Sequence, residues 1–188
     1  MRKTITLLAG LLLAATLLSV HAQNTPPPPC IGDPLNLDVE KYYVENCGTP
    51  SVNDVDEFII KGDFQMSSGM WKDAVMTYQT AALKAGWLTE LFGSCTAPYY
   101  NSDENARQSV DSDFYKNITQ YEKEACRLCN LRNKALVNIG IAYLNLEDPA
   151  SALIYLHKAL QLLKVNETDL WETAANGIAR ATRYRHRE

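Results

Sequence analysis

The chain has few of the residues on which acid–base catalysis and metal binding most often depend. Its 188 residues include three histidines, and the Asp and Glu residues match no calcium-loop spacing. Lys and Arg number 18 against 22 Asp and Glu, a net charge of −4, so the basic excess that phosphate binding needs is missing. No strand-like alternation with hairpin turns occurs. We therefore expect an all-α protein with no catalytic residues, cofactor, metal or nucleic-acid partner.

The first 22 residues have the pattern of a secretory signal. Arg2 and Lys3 give a positive start, an uncharged and mostly apolar run covers 5–20, and the expected cleavage junction lies between Ala22 and Gln23. The apolar run is shorter than the about 20 residues that span a bilayer, and Thr, Gly and Ser interrupt it. We therefore expect a bacterial-type secreted or periplasmic protein with no stable membrane insertion after cleavage.

Cleavage would leave 16 basic and 22 acidic residues, a net charge of −6. Residues 23–53 begin with a run of four prolines at 26–29, which predicts an extended N-terminal segment. Residues 54–188 then form the expected helical domain.

Two stretches repeat one spacing of small residues. Gly62 precedes Ala74 by twelve residues and Ala81 by nineteen, and Gly140 starts a second series with the same intervals. Small residues at this spacing allow two antiparallel helices to approach closely. The packing positions of the two copies are Gly62, Ala74, Tyr78, Ala81, Gly140, Tyr143, Ala152 and Ala159.

This spacing resembles the tetratricopeptide repeat, a helix–turn–helix unit of 34 residues. The resemblance implies copies at about 55–87 and 133–166 and a single closing helix at about 168–185. The first copy departs from the family at Lys61 and Gln65, where apolar and aromatic residues are expected. The implied fold is a short all-α array of helix–turn–helix hairpins.

An insertion separates the two copies. Residues 88–112 contain Gly93, Pro98 and many polar residues, which predicts an irregular segment. From Phe114 onward apolar residues recur at steps of three and four, which predicts one long helix, or two in near-continuous register, capped by Asp111 or Ser112.

The resemblance also implies a function. In this family the first helix of each repeat lines a concave groove, so the protein would be an adaptor or scaffold that binds another protein or peptide and has no catalytic activity. The Lys/Asn set with which some members clamp a peptide carboxylate is missing. An apolar groove needs a cover, either the insertion or a partner. The implied groove residues are Asp56, Ile59, Asp63, Met66, Val137, Ile141 and Leu144.

Five cysteines are disulfide candidates in a secreted protein: Cys30, Cys47, Cys95, Cys126 and Cys129. A bridge between the first two would close the N-terminal segment, and a bridge from Cys95 to either of the last two would tie the insertion to the long helix. The odd count leaves one thiol free or pairs it between two chains, which would give a homodimer.

Two other functions remain open. Cys126 and Cys129 would suit a thiol-disulfide redox protein, although they lie inside a helical pattern instead of at a helix start after a strand. A toxin-neutralising or envelope-assembly factor is the other alternative, which the sequence does not separate from an adaptor. His157 reads as a surface or packing residue, and the sequons at Asn117 and Asn166 matter only in a eukaryotic source.

Overall fold

The computed structural model describes residues 50–164 and 166–183. Within those ranges the protein is all-α, as predicted, and contains no strand. The leader, the Ala22–Gln23 junction, Cys30, Cys47 and His186 lie outside the described residues. The helices are α1 (Val52–Ser67), α2 (Trp71–Tyr100), α3 (Glu104–Gln108), α4 (Ser112–Asn145), α5 (Pro149–Leu162) and α6 (Thr168–Ala181).

Short polar side chains fix where three of the long helices begin. Ser51 and Asp54 form a reciprocal capping box at α1, with Ser51 Oγ accepting from the Asp54 N–H at 3.1 Å. Asp111 Oδ1 accepts from the Phe114 N–H at 2.7 Å and caps α4, which is one continuous helix as the spacing predicts. Asp148 caps α5 in the same way, ahead of Pro149 in the first turn.

The helices pack in chain order. α1 and α2 form one antiparallel hairpin, α4 and α5 form a second, and the long α2 lies along α4 to join them. α6 covers α4 and α5 as a single closing helix, and its own residues Ala174 and Gly177 are buried. The packing positions predicted from the repeat lie in this core, except that Tyr143 is half-buried and stacks on Tyr155.

The turns of the two hairpins have the same backbone structure. Gly69 and Glu147, which are 78 residues apart, both have left-handed φ angles, +72° and +61°. The Met70 N–H donates to the Gln65 carbonyl at 2.9 Å, and 78 residues later the Asp148 N–H donates to Tyr143 at 3.0 Å. The internal repeat in the sequence is therefore a repeat in the backbone.

The prediction of an irregular insertion over 88–112 is wrong for most of its length. α2 continues to Tyr100, and the segment that follows contains the short helix α3. Gly93 is tolerated inside α2, and Pro98 lies in its last turn. α2 continues because its core residues extend to Leu88 and Thr96, and because Phe92 stacks on Tyr121 of α4 with ring centroids 5.9 Å apart. Packing against the long helix therefore outweighs the helix-breaking tendency of Gly93 and Pro98.

Several other predicted boundaries also shift. The helical domain begins at Val52 instead of residue 54, and the first hairpin runs to Tyr100 instead of residue 87. The second hairpin uses a helix that already begins at Ser112, and the closing helix ends at Ala181.

Candidate interaction surface

The face between α1 and α4 contains two of the predicted groove residues, and ion pairs cross it. Asp63 Oδ2 lies 2.6 Å from Lys134 Nζ, and Asp56 Oδ1 lies 2.7 Å from Arg127 Nη1. The two acidic residues on α1 are seven positions apart, and so are the two basic residues on α4. The ion pairs therefore connect α1 to α4 at two points along the helices. Arg127 also binds Glu124, 2.6 Å away on its own helix. This face presents neutralised charge to solvent.

The apolar groove expected at this face is not open. Ile59 and Val137 belong to the buried core, so these two residues do not line a groove that is open to a partner. Ile141 and Leu144 are half-buried and pack against that core, and Ile141 lies beside Gly177 of the closing helix. The resemblance implies that the first helix of each hairpin has a face on which a partner binds. In this structure α4, the first helix of the second hairpin, has α2 on one side and α5 and α6 on the other.

The buried Tyr78 side chain is hydrogen-bonded to Asp63, the acidic partner of one of these ion pairs. The Tyr78 hydroxyl donates to Asp63 Oδ1 at 2.5 Å and accepts from Asn138 Nδ2 at 2.9 Å. Burial, followed by the hydrogen bond to Asp63, raises the pKa of Tyr78 well above its ordinary value. The hydroxyl therefore keeps its proton and holds Asp63 in position for Lys134.

Another ion pair lies at the start of α1. Lys84 Nζ, whose side chain is nearly buried, lies 3.0 Å from Asp54 Oδ2 and 5.7 Å from the centre of the Phe58 ring. The hydrogen bond from Lys84, followed by the one from Ser51, lowers the pKa of Asp54 below its ordinary value. The pair joins α1 to the middle of α2 and has a structural role.

Exposed aromatic side chains concentrate where α2 ends and α4 begins. We call this region the aromatic end and define it by Tyr99, Tyr100, Phe114 and Tyr115. Tyr99 contacts Tyr100 and Tyr115 edge to face, with ring centroids 5.2 and 6.1 Å apart. Tyr100 and Tyr115 remain 53% and 56% exposed, and Phe114 is also exposed. Tyr99 therefore packs against two tyrosine rings that face solvent.

A shallow cavity of about 530 Å³ opens at the aromatic end. Arg107, Glu104 and Gln108 of α3 line it together with the three tyrosines. The Tyr100 hydroxyl donates to Glu122 of α4, and this hydrogen bond raises the pKa of Tyr100. The cavity thus combines aromatic surface with polar groups of both charges.

This site was not predicted, because the sequence pattern of residues 88–112 indicates one irregular loop. Four tyrosines fall within 99–121, out of ten in the whole chain, and this concentration was a usable signal. Tyr99, Tyr100 and Tyr115 come together because α2 continues to Tyr100 and because α3 reverses the direction of the chain. Neither feature follows from local periodicity.

Cys95, Cys126 and Cys129 are free in this structure. The expected bridge from Cys95 to the long helix is absent because Cys95 lies on α2, not on a loop that can bend towards α4. Cys126 is exposed and Cys129 is half-buried, and Lys164 Nζ contacts Cys126 Sγ at 3.4 Å. The predicted bridge between Cys30 and Cys47 lies outside the described residues.

The other candidate residues have structural or surface positions. His157 is exposed on α5, and Asp103 and Asp111 act as helix caps. In the part of the chain that the structure describes, no three His, Cys, Asp or Glu side chains group closely enough to hold a metal ion. None of the described helices combines the length and apolar character that crossing a membrane would require.

Comparisons with protein-family models, with curated proteins and with solved structures found no match for this chain.

Proposed function

We propose that this protein is a secreted or periplasmic adaptor that binds another protein and has no catalytic activity. The observation that carries this proposal is the aromatic end, where three tyrosines line a cavity together with Arg107 and the side chain of Phe114 is also exposed. Aromatic residues and arginine are enriched at the centres of protein interfaces and supply most of the binding energy there.

The arrangement of the site suits a protein or peptide ligand. The rings contact one another, so little conformational entropy is lost when a partner packs on them. Glu104 and Arg107 lie at the rim on a short helix, where they can pair with either sign of partner charge. A partner segment with an exposed apolar or aromatic side chain fits this surface best.

The resemblance to tetratricopeptide repeats supports the same class of function. Two hairpins with equivalent turns, held together where α2 packs along α4, form the support for one end of the molecule. We keep the tetratricopeptide assignment as part of the proposal. A toxin-neutralising or envelope-assembly factor would be a special case of this adaptor and would use the same surface.

Comparative affinity capture from the native source tests the proposal. Wild-type protein is compared with the double variant Tyr100→Ser, Tyr115→Ser, and the helix content of both is checked by circular dichroism. The matched control is Ile154→Ser, Trp171→Ser, which removes two exposed apolar side chains from α5 and α6. We expect a partner that wild-type and control retain and the double variant loses. Equal capture by all three would contradict the aromatic end as the binding surface.

A further inference from the structure

The outer face of α1 exposes two large apolar side chains one helical turn apart. Ile60 is 69% and Phe64 66% exposed, more than any other large apolar residue among those described. Both point away from the core that Val55 and Ile59 form on the opposite side of the helix. Two such side chains on one face mark a surface that something covers.

The internal repeat indicates what kind of element covers it. The residues 78 positions after Ile60 and Phe64 are Asn138 and Ala142 of α4. Asn138 donates a hydrogen bond to Tyr78 of α2, and Ala142 is fully buried. On α4, therefore, this face packs against α2, the long helix that comes earlier in the chain. α1 has the same face, and no helix precedes it in the described part of the chain.

We propose that residues 35–43 of this chain cover the outer face of α1. Four of their five apolar residues, Leu35, Val39, Tyr42 and Tyr43, follow the spacing of one helix face, and Leu37 lies off it. Pro50, where the described residues begin, is buried, so the chain enters α1 against the body of the protein.

The connection has the length that this packing needs. Gly48 and Pro50 are residue types that favour turns. Leu35 and Phe64 are equally far along the sequence from the point between residues 49 and 50. Val39 stands in the same relation to Ile60. A chain that reverses at this turn places Leu35 beside Phe64 and Val39 beside Ile60.

A double-mutant cycle in the purified protein tests the contact. Phe64→Ser, Leu35→Ser and the combined variant are compared by thermal unfolding. Each single change should lower the midpoint by roughly 3 °C or more, and the combined change should lower it by less than their sum because both remove one contact. The control pairs Leu35→Ser with Ile154→Ser, an exposed apolar position on α5, and should be additive. An unchanged midpoint for Phe64→Ser, or additivity with Leu35→Ser, would overturn the proposal.

Photocrosslinking gives a readout independent of stability. A photoreactive phenylalanine analogue replaces Phe64, and the crosslinked peptides are mapped by mass spectrometry. A crosslink within one chain to residues 35–43 supports the proposal. A crosslink to a second copy, to another protein or to nothing overturns it.

Discussion

The ring of Tyr78 occupies the space that a side chain on Gly62 would need. A Cβ built on Gly62 would lie 2.6 Å from Cε1 of this ring, and Tyr78 is fully buried. The second hairpin repeats the relationship, because a Cβ on Gly140 would lie 2.5 Å from Cγ of Leu156. Each glycine is sixteen residues ahead of its partner, so both hairpins depend on the same close approach.

The first prediction concerns these glycines. Gly62→Ala and Gly140→Ala should each destabilise the protein by about 1–3 kcal/mol, since the added methyl overpacks the hairpin. Tyr78 cannot move away without losing its hydrogen bonds to Asp63 and Asn138. Denaturant unfolding monitored by circular dichroism measures the change.

Gly93→Ala is the matched control, because nothing lies within 4 Å of a Cβ at that position of α2. It should stabilise the helix by about 0.5–1 kcal/mol through backbone entropy alone. If Gly62→Ala proved as stable as Gly93→Ala, the close approach would not be a constraint on the fold.

The hairpins were predictable from the sequence because their glycines and alanines mark helix contacts directly. Asp111 as a helix cap and the long helix from Ser112 also follow from local pattern. What covers the predicted groove residues could not be predicted, since the spacing that buries Val137 does not say which neighbour packs on it. The aromatic end depends on how far α2 extends along α4, which only their mutual packing decides.

A second prediction follows from a buried amide in α1. Gln65 is buried, and its Oε1 has no hydrogen-bond partner within the described residues. A buried acceptor left unsatisfied costs about 1–3 kcal/mol. Gln65→Met should therefore raise the free energy of unfolding by about 1 kcal/mol, because it keeps the length of the side chain and removes the polar atom. Gln161→Met, at an exposed position of α5, is the control and should change little. A destabilised Gln65→Met would mean that the amide has a partner after all.

The third prediction concerns acid stability. The pKa of Asp54 is lowered mainly by Lys84, so folding favours the charged carboxylate. Its contribution is complete above the ordinary pKa of about 3.8 and is lost as the pH falls through the lower pKa of the folded state. Asp54→Asn should therefore be less stable than wild type at pH 7, and the difference should shrink towards pH 3.

Urea unfolding at a series of pH values measures this difference. Glu57→Gln removes a carboxylate from an exposed position of the same helix and is the matched control. A difference between Asp54→Asn and wild type that stayed constant from pH 7 to pH 3 would contradict the prediction that the charged carboxylate of Asp54 stabilises the fold.

The last prediction concerns the thiols, because it separates an adaptor from a redox protein. Cys126 and Cys129 are three residues apart on the continuous helix α4. Side chains at this spacing have Cβ atoms about 5–6 Å apart, whereas a disulfide needs about 3.8 Å. Bridging them would therefore distort a helix whose neighbouring residues Leu128 and Asn133 are fully buried. We expect alkylation without reductant, followed by peptide mapping, to recover Cys95, Cys126 and Cys129 as separate labelled thiols, with half-buried Cys129 labelled last. Recovery of an intact bridge between Cys126 and Cys129 that glutathione opens within minutes would contradict the adaptor proposal and favour the redox alternative.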